Sequence, residues 1–244
     1  MQTLDLLADR SSLYNDLKVC GEHYLTVHHC LLARKDNGPT DYTSITKLYT
    51  HPQAWGQCEK FLSAFFKGIE RQDVSSTSKA GEIAATEATS GAIASRFAAE
   101  YHGLNVLAAD IEDRPDNTTR FLVLGNVKSE RAARISFDQV KGPVILTPTE
   151  PPVPRKTLMS FSLSGDAPGA LADALLVFKA HGVNLTSINS RPSLKRAWQY
   201  VFFVEGERIL TAENQEAVEK ILRDLQTVTE SCRDWGTWKD QLSQ

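Results

Sequence analysis

The chain has 244 residues, about 1.6 times the ~150 residues of one domain, which predicts two compact units or one large one. It carries 27 Lys and Arg residues against 30 Asp and Glu residues, a formal net charge of −3. This balance excludes the strong positive field of proteins that bind nucleic acid or an anionic membrane. Hydrophobic residues make up 41% of the chain, as in a globular protein, and no apolar run approaches the ~18 residues of a membrane span.

The four cysteines are widely spaced and form no C-x-x-C pair, which predicts neither a zinc cage nor a disulfide framework. They are Cys20, Cys30, Cys58 and Cys232. The amino end lacks the basic stretch and apolar core of a secretory signal. Both features predict reduced thiols and a cytoplasmic protein.

Short helices and β-prone segments alternate in the first hundred residues. Leucines at helical spacing predict a helix over 3–15, and a β-prone stretch predicts one or two strands over 18–33. A one-sided apolar face behind a proline predicts a helix over 52–66. The alanine-rich stretch that follows predicts two helical parts, 77–86 and 90–102.

Two apolar runs and a proline-rich segment follow. The runs predict short strands over 104–111 and 121–124. Residues 143–154 hold five of the 10 prolines, a composition typical of a linker between domains. The predicted division is a first domain at 1–142, a linker at 143–155 and a second domain at 156–244.

Six segments beyond the linker follow the order strand, helix, strand, strand, helix, strand. Their predicted bounds are 158–163, 168–180, 184–190, 198–204, 212–225 and 227–233. This order within about eighty residues is that of the ferredoxin-like βαββαβ unit. The sequence therefore predicts an α/β protein whose second domain has this topology.

The second domain also carries two motifs. Its first helix opens with P-G-A-L at 168–171, and its second strand runs into N-S-R-P at 189–192. Glycine at a helix start lets a ligand approach backbone N–H groups, which favour a carboxylate. The arrangement resembles an ACT domain of the kind that senses aromatic amino acids behind a prephenate dehydratase.

The ACT resemblance implies a phenylalanine site between two copies of the domain, and hence a homodimer or homotetramer. The residues that it implies for this effector are Gly169, Ala170, Leu171, Asn184, Asn189, Ser190, Arg191 and Pro192. Asn189 stands where the family has glutamate, so a charge that could pair with the amino group is lost. We therefore expect an altered sensitivity to phenylalanine.

Three motifs of the first domain resemble those of the prephenate dehydratase family, in the family's order. They are H-P-Q-A-W-G-Q-C at 51–58, S-T-S-K-A at 76–80 and N-T-T-R-F at 117–121. The resemblance implies a two-lobed catalytic domain, similar to periplasmic binding proteins, with its active site in the cleft. It also implies that prephenate loses carbon dioxide and its ring hydroxyl to give phenylpyruvate, with no metal or other cofactor.

The family likeness places Thr119 at the leaving hydroxyl of prephenate. Because a threonine hydroxyl is a poor acid at neutral pH, we expect Thr119 to donate a hydrogen bond rather than a whole proton. The side chains expected to bind substrate are Thr50, Gln57, Ser76, Thr77, Asn117 and Arg120.

Several of these residues keep a second explanation. Ser76 and Thr77 are also typical of a helix start, where they cap backbone N–H groups. Arg120 could pair with a substrate carboxylate or lock its loop to a neighbouring residue. Cys58 is expected to be a packed apolar residue rather than a nucleophile.

The sequence departs from the family at its beginning. Neither the glycine-rich G-P-x-G-T-x-S motif nor the E-N-S segment is present, so the catalytic domain is expected to be incomplete. The strand at 121–124 would then have few partners. A shortened gene model, a deliberate fragment and a non-catalytic product all explain this. The missing motifs make a non-catalytic phenylalanine-binding regulator one alternative function. An arogenate dehydratase is the other, because the motifs present do not distinguish arogenate from prephenate.

Overall fold

The computed structural model describes residues 3–8, 14–130, 153–164, 167–193, 195–210 and 217–241. The chain divides into two compact units. The five-stranded unit comprises residues 24–119, and the four-stranded unit comprises residues 1–23 with 120–244. The linker predicted at 143–155 lies mostly outside the described residues, so a division of the chain there stays a prediction.

Short helices and strands alternate along the chain. The first twelve are α1 (Thr3–Leu7), β1 (Leu17–Thr26), β2 (Cys30–Arg34), β3 (Lys47–Thr50), α2 (Pro52–Gln57), α3 (Glu59–Phe65), β4 (Glu70–Asp73), α4 (Thr77–Thr86), β5 (Ser90–Ala94), α5 (Arg96–His102), β6 (Leu104–Ala108) and β7 (Thr118–Asn126). The others are β8 (Val153–Ser162), α6 (Ala170–Ala180), β9 (Asn184–Pro192), β10 (Tyr200–Leu210), α7 (Ala217–Val228) and β11 (Ser231–Lys239).

The five-stranded unit is built on a mixed sheet with the order β4-β3-β5-β2-β6. Strand β3 is parallel to β4 and β5, whereas β2 is antiparallel to β5 and β6. Leu31 and Leu32 are both fully buried, because adjacent residues of a strand face opposite sides of the sheet. Leu31 packs with Leu62 of α3, and Leu32 packs with Ala80 and Ala84 of α4. Helices therefore cover both faces.

The helix predicted over 90–102 is wrong in its first part. Ser90–Ala94 is strand β5, and the helix α5 covers only Arg96–His102. All of β5 is buried in the middle of the sheet, where a Cβ on Gly91 would lie 2.9 Å from Leu48 Cδ2. Its small residues are thus required by close packing, and the same composition is typical of a helix.

The helix predicted over 52–66 is divided in two. Cys58 has φ −127° and ψ 18°, which ends α2 and begins α3. The helix predicted over 77–86 is confirmed as α4. The helix predicted over 3–15 is present as α1 at Thr3–Leu7, and residues 9–13 lie outside the described part.

Strands β1 and β7 form a separate two-stranded sheet. The strand predicted at 121–124 is confirmed within β7. Among the described residues β1 is its only strand partner, and Phe121 is 51% exposed. This agrees with the expectation that the strand has few partners.

The four-stranded unit has the predicted βαββαβ order, with the strands arranged antiparallel as β11-β8-β10-β9. One face of the sheet packs Met159 and Phe161 against Phe178 of α6 and Ile221 of α7. The other face buries Trp235 with other apolar side chains. Among the helices that the structure describes, none has the length and apolar character to cross a bilayer.

A buried charge cluster of five residues lies in the four-stranded unit. The Glu22 side chain is fully buried, 2.6 Å from Arg120 Nη2 and 3.1 Å from Lys156 Nζ. Arg120 also pairs with Glu205 at 2.7 Å, and Lys156 pairs with Asp240 at 2.8 Å. Because buried charges are costly unless paired, these three carboxylates and two cations depend on one another.

Candidate active site and effector end

The carboxyl ends of the parallel strands lie together at one edge of the five-stranded sheet. Parallel strands β3, β4 and β5 end there, and β2 begins there because Cys30 pairs with Ala94 at the end of β5. Helices α2, α4 and α5 start at this edge, where His51, Ser76 and Ser95 accept bonds from backbone N–H groups. Strand carboxyl ends and helix amino-termini of this kind bind anions in α/β proteins. This edge is the candidate active site.

Thr50, Ser76 and Thr77 all lie at this edge. Thr50 ends β3 and is fully buried, with its hydroxyl donating to the Ile93 carbonyl at 2.7 Å. Ser76 is exposed, and its Oγ accepts from the Lys79 N–H at 3.0 Å, which is the capping role. Thr77 is the first residue of α4. The Thr50 hydroxyl is therefore used within the sheet, whereas Ser76 and Thr77 stand at a helix start.

Gln57 is joined to a buried histidine that the motifs do not contain. His29 Nε2 lies 2.7 Å from Gln57 Oε1, so this nitrogen donates when the amide oxygen accepts. His29 is 6% exposed, and its Nδ1 has no hydrogen-bond partner. The only sequence signal for His29 is its position just before a buried strand. Its contact orients the Gln57 amide at the candidate active site.

His28, Asp110 and Glu112 stand beside this pair. Each offers one atom that could hold a metal ion, and these atoms lie within 4.8 Å of one another. The distances of 3.0 Å and 3.2 Å from His28 Nδ1 to Glu112 and Asp110 are also those of hydrogen-bonded ion pairs. Burial raises the pKa of Glu112, but hydrogen bonds from the His29 N–H and from His28 outweigh it, and the pKa lies below its usual value.

Asn117 is tied to the same edge by a backbone bond. The Asn117 carbonyl accepts from the Val27 N–H at 2.8 Å, next to the two histidines. The Gln57 carbonyl accepts from the Asp113 N–H at 2.6 Å, so the segment before β7 is also tied to α2. Thr119 is exposed on β7. The structure thus places Gln57 and Asn117 in one region of the five-stranded unit, and Thr119 follows two residues after Asn117 on β7.

Arg120, also predicted to bind substrate, belongs to the buried charge cluster of the four-stranded unit. Its Nη1 and Nη2 donate to the two carboxylate oxygens of Glu205 at 3.1 Å and 2.7 Å. Its Nε donates to Glu22 at 2.8 Å. These bonds match the expectation that Arg120 locks its loop to neighbouring residues. Binding of a substrate carboxylate by Arg120 stays a prediction.

Cys58 lies between α2 and α3 and is fully buried. Burial, together with the charges of Asp113 and Glu112, raises the pKa of its thiol to about 12. The thiolate is the reactive form of cysteine, and it is nearly absent at neutral pH when the pKa is this high. The structure therefore supports the expectation that Cys58 packs rather than reacts.

We expect Cys58 to resist iodoacetamide in the folded chain across pH 7–9 and to react once the chain is unfolded in denaturant. Peptide mapping by mass spectrometry would measure this, with the partly exposed Cys232 as the comparison. Fast labelling of Cys58 near neutral pH without loss of fold would contradict the packed role.

The residues predicted to bind the effector lie on α6 and β9 of the four-stranded unit. Gly169 has φ +89° and precedes Ala170 and Leu171 in the first turn of α6. Because β8 and β9 run parallel, α6 begins at the end of the unit where β9 reaches Ser190 and Pro192. We name this the effector end.

The other predicted effector residues also lie on β9. Arg191 at the effector end pairs with Asp5 at 2.8 Å, and the Asn189 amide donates to Ser187 at 2.9 Å. Asn184 is the first residue of β9, so it lies at the opposite end of the strand. The structure therefore gathers the P-G-A-L and N-S-R-P motifs at one end of the unit and leaves Asn184 apart from them.

The described structure is that of an α/β protein, with a five-stranded mixed sheet in one unit and a βαββαβ topology in the other. The sequence profile of the family described as "Prephenate dehydratase" matches residues 1–129, and that of the ACT domain matches residues 158–223. The chain belongs to the prephenate dehydratase family, with an ACT domain in its carboxyl-terminal part.

Individual relatives agree with this assignment. A bifunctional chorismate mutase/prephenate dehydratase of Aquifex aeolicus is 36% identical over 242 residues, which cover 99% of this chain and 58% of that protein. A prephenate dehydratase of Methanocaldococcus jannaschii is 33% identical, over 93% of this chain and 73% of that protein. The crystal structure of an Arthrobacter aurescens prephenate dehydratase in complex with L-Phe matches with a TM-score of 0.76 and 27% identity, over 99% of this chain and 71% of that one.

Proposed function

We propose that the chain catalyses the decarboxylating dehydration of prephenate to phenylpyruvate in phenylalanine biosynthesis. The observation that carries this proposal is the placement of Gln57 and Asn117 at an edge where three helices begin, with Thr119 two residues further along β7. Prephenate carries two carboxylates, and N–H groups at helix starts favour such anions without a buried opposite charge.

The reaction needs little covalent chemistry from the protein. The bond to the ring carboxylate breaks and leaves its electrons in the ring, while the hydroxyl departs as hydroxide and takes up a proton. Because the product ring is aromatic, the reaction has a strong driving force. The protein then has to hold both carboxylates and to stabilise the charge that develops on the leaving oxygen, which is the role of the exposed Thr119 hydroxyl.

Turnover of prephenate tests the proposal. The chain, and a version extended upstream in the reading frame, are incubated with prephenate while phenylpyruvate is followed by absorbance, and a parallel arm with arogenate follows phenylalanine. Formation of phenylpyruvate supports the proposal. Turnover of arogenate but not of prephenate would make the chain an arogenate dehydratase instead. No turnover in any arm would refute both the prephenate dehydratase and the arogenate dehydratase activities.

A phenylalanine-binding regulator without catalysis is the second candidate. The observation that favours it is the gathering of the P-G-A-L and N-S-R-P motifs at the effector end, which involves no residue of the five-stranded unit. The chain spans 58% and 47% of the first two curated relatives it matches. Calorimetry of the full chain with phenylalanine, read together with the turnover assay, discriminates between the candidates. Binding without turnover in any form supports the regulator, and absence of binding counts against it.

L-phenylalanine is the effector that we propose for the effector end, in a homodimer or homotetramer. The Arthrobacter relative was crystallised in complex with L-Phe. Strand β9 is an edge strand, so its outer backbone groups are suited to pairing with a second copy. The four thiols are free and three are buried, which supports a reducing, cytoplasmic location.

Restoring a carboxylate at position 189 tests the effector end. We expect Asn189→Glu to bind phenylalanine about tenfold more tightly, because the new charge can pair with the amino group of the ligand. Calorimetry measures the Kd of the parent and the variant, and 3-phenylpropanoate, which is phenylalanine without its amino group, is the control ligand. An unchanged Kd for phenylalanine would contradict the assigned role.

A further inference from the structure

His29 lies beside Gln57 in the five-stranded unit and is held there through its backbone. It directly precedes β2 and is 6% exposed. Its N–H donates to Glu112 Oε2 at 2.9 Å, and its carbonyl accepts from the Ile111 N–H at 3.0 Å. The segment after β6 therefore fixes both backbone groups of His29, and with them the point from which the imidazole extends.

The surroundings of the His29 imidazole decide which of its nitrogens carries the proton. Nδ1 is buried and has no hydrogen-bond partner among the described residues, so a proton there would be an unpaired buried donor, which is costly. A proton on Nε2 is used instead, because Gln57 Oε1 lies 2.7 Å away. The reverse arrangement, in which the Gln57 nitrogen donates to Nε2, would move the proton to Nδ1. The structure therefore favours an Nε2–H that donates to the Gln57 oxygen.

This bond determines what the Gln57 side chain can offer to a ligand. A primary amide has an oxygen that accepts and a nitrogen that donates two hydrogen bonds. The oxygen is engaged by His29, whereas the nitrogen makes no hydrogen bond within the described part of the chain. Gln57 therefore offers chiefly its two N–H groups, which match the oxygens of a carboxylate rather than an ammonium group.

We propose that His29 is a positioning residue for prephenate: its Nε2–H holds the Gln57 oxygen, so that the amide N–H groups bind a substrate carboxylate. This inference rests on the proposed function, in which Gln57 binds the substrate. His29 acts through Gln57 and does not touch the reacting atoms. A bond to a carboxylate is made in the ground state and in the transition state alike, so its loss should raise KM and leave kcat nearly unchanged.

Steady-state kinetics with prephenate on the active form of the chain tests this role. We expect His29→Leu to raise KM about tenfold and to change kcat by less than about threefold, because the amide is then free to turn its oxygen to the substrate. His29→Gln returns an N–H donor near the place of Nε2 and should bring KM back to within about threefold of the parent. His23→Leu, at an exposed histidine of β1, should leave both constants unchanged. Equal KM values in His29→Gln and His29→Leu would overturn the proposal.

A double variant shows whether the effect passes through Gln57. Without the amide His29 has nothing to position, so His29→Leu combined with Gln57→Leu should have the KM of Gln57→Leu alone, and fully additive effects would refute the role. Absence of turnover by the parent would refute the proposed function and this inference with it. Turnover by the parent with an unchanged KM in His29→Leu would refute this inference alone. If His29→Leu does not fold, NMR of the histidine ring nitrogens in the parent decides, and a His29 proton on Nδ1 refutes the proposal.

Discussion

Replacing Thr119 with alanine is expected to lower kcat for prephenate by about 10²–10³-fold, the cost of removing one donor from a developing oxyanion. Thr119 is exposed on β7, two residues after Asn117, and on the proposed function its hydroxyl meets the leaving oxygen. Because the bond strengthens as the oxygen becomes charged, KM should change by only about threefold or less. Steady-state kinetics on the active form of the chain measures both constants.

Two further variants separate this role from a structural one. Thr119→Ser keeps the hydroxyl and should recover most of kcat. Thr118→Ala removes the neighbouring hydroxyl, which donates to the Asp116 carbonyl at 3.2 Å and, by strand alternation, belongs to the other side of β7. Equal losses in Thr118→Ala and Thr119→Ala, or a higher KM with unchanged kcat, would contradict the assignment.

The ferredoxin-like topology of the four-stranded unit was predictable because its signal is local. Helical and strand periodicity, with Gly182 after α6, define each element within about ten residues. The same reasoning failed at Ser90–Ala94, where alanine and glycine are small because Leu48 and Ile45 pack directly against Gly91. When residues must be small because of packing against other segments, the sequence of the segment itself shows no strand periodicity.

The candidate site was predictable only in part, for a similar reason. Motif likeness located Gln57, Ser76 and Thr119, and the sheet topology then places the first two at one edge. The contact between His29 and Gln57 joins residues 28 positions apart and has no motif of its own. Likewise, the use of the Thr50 hydroxyl within the sheet depends on the Ile93 carbonyl across the β3–β5 pair.

The buried charge cluster was beyond sequence reasoning altogether. Arg120 and Glu22 are 98 positions apart, and Lys156 and Glu22 are 134 positions apart. Each of these residues alone is typical of a solvated surface. Only the fold shows that Glu22 and Asp240 are buried around a lysine, and this arrangement leads to the second prediction with a large effect.

Lys156→Met is expected to lower the free energy of unfolding by about 3–5 kcal/mol, the usual cost of removing one partner from a buried ion pair. The Lys156 side chain is 7% exposed and contacts Glu22 and Asp240, whose side chains are 0% and 4% exposed. Without the lysine, Glu22 and Asp240 each lose a cation that pairs with them at 3.1 Å and 2.8 Å. Urea unfolding followed by tryptophan fluorescence measures the loss, because Trp235 and Trp238 are buried in this unit.

The same substitution at an exposed pair provides the control. Lys128 pairs with Asp16 at 2.9 Å but is 76% exposed, so Lys128→Met should cost less than about 1 kcal/mol. Adding Glu22→Gln to Lys156→Met removes one surplus carboxylate, and the double variant should therefore recover part of the lost stability. If both lysine variants lose the same stability, or if Glu22→Gln makes the loss at Lys156 larger, then Lys156 does not stabilise the cluster by neutralising Glu22.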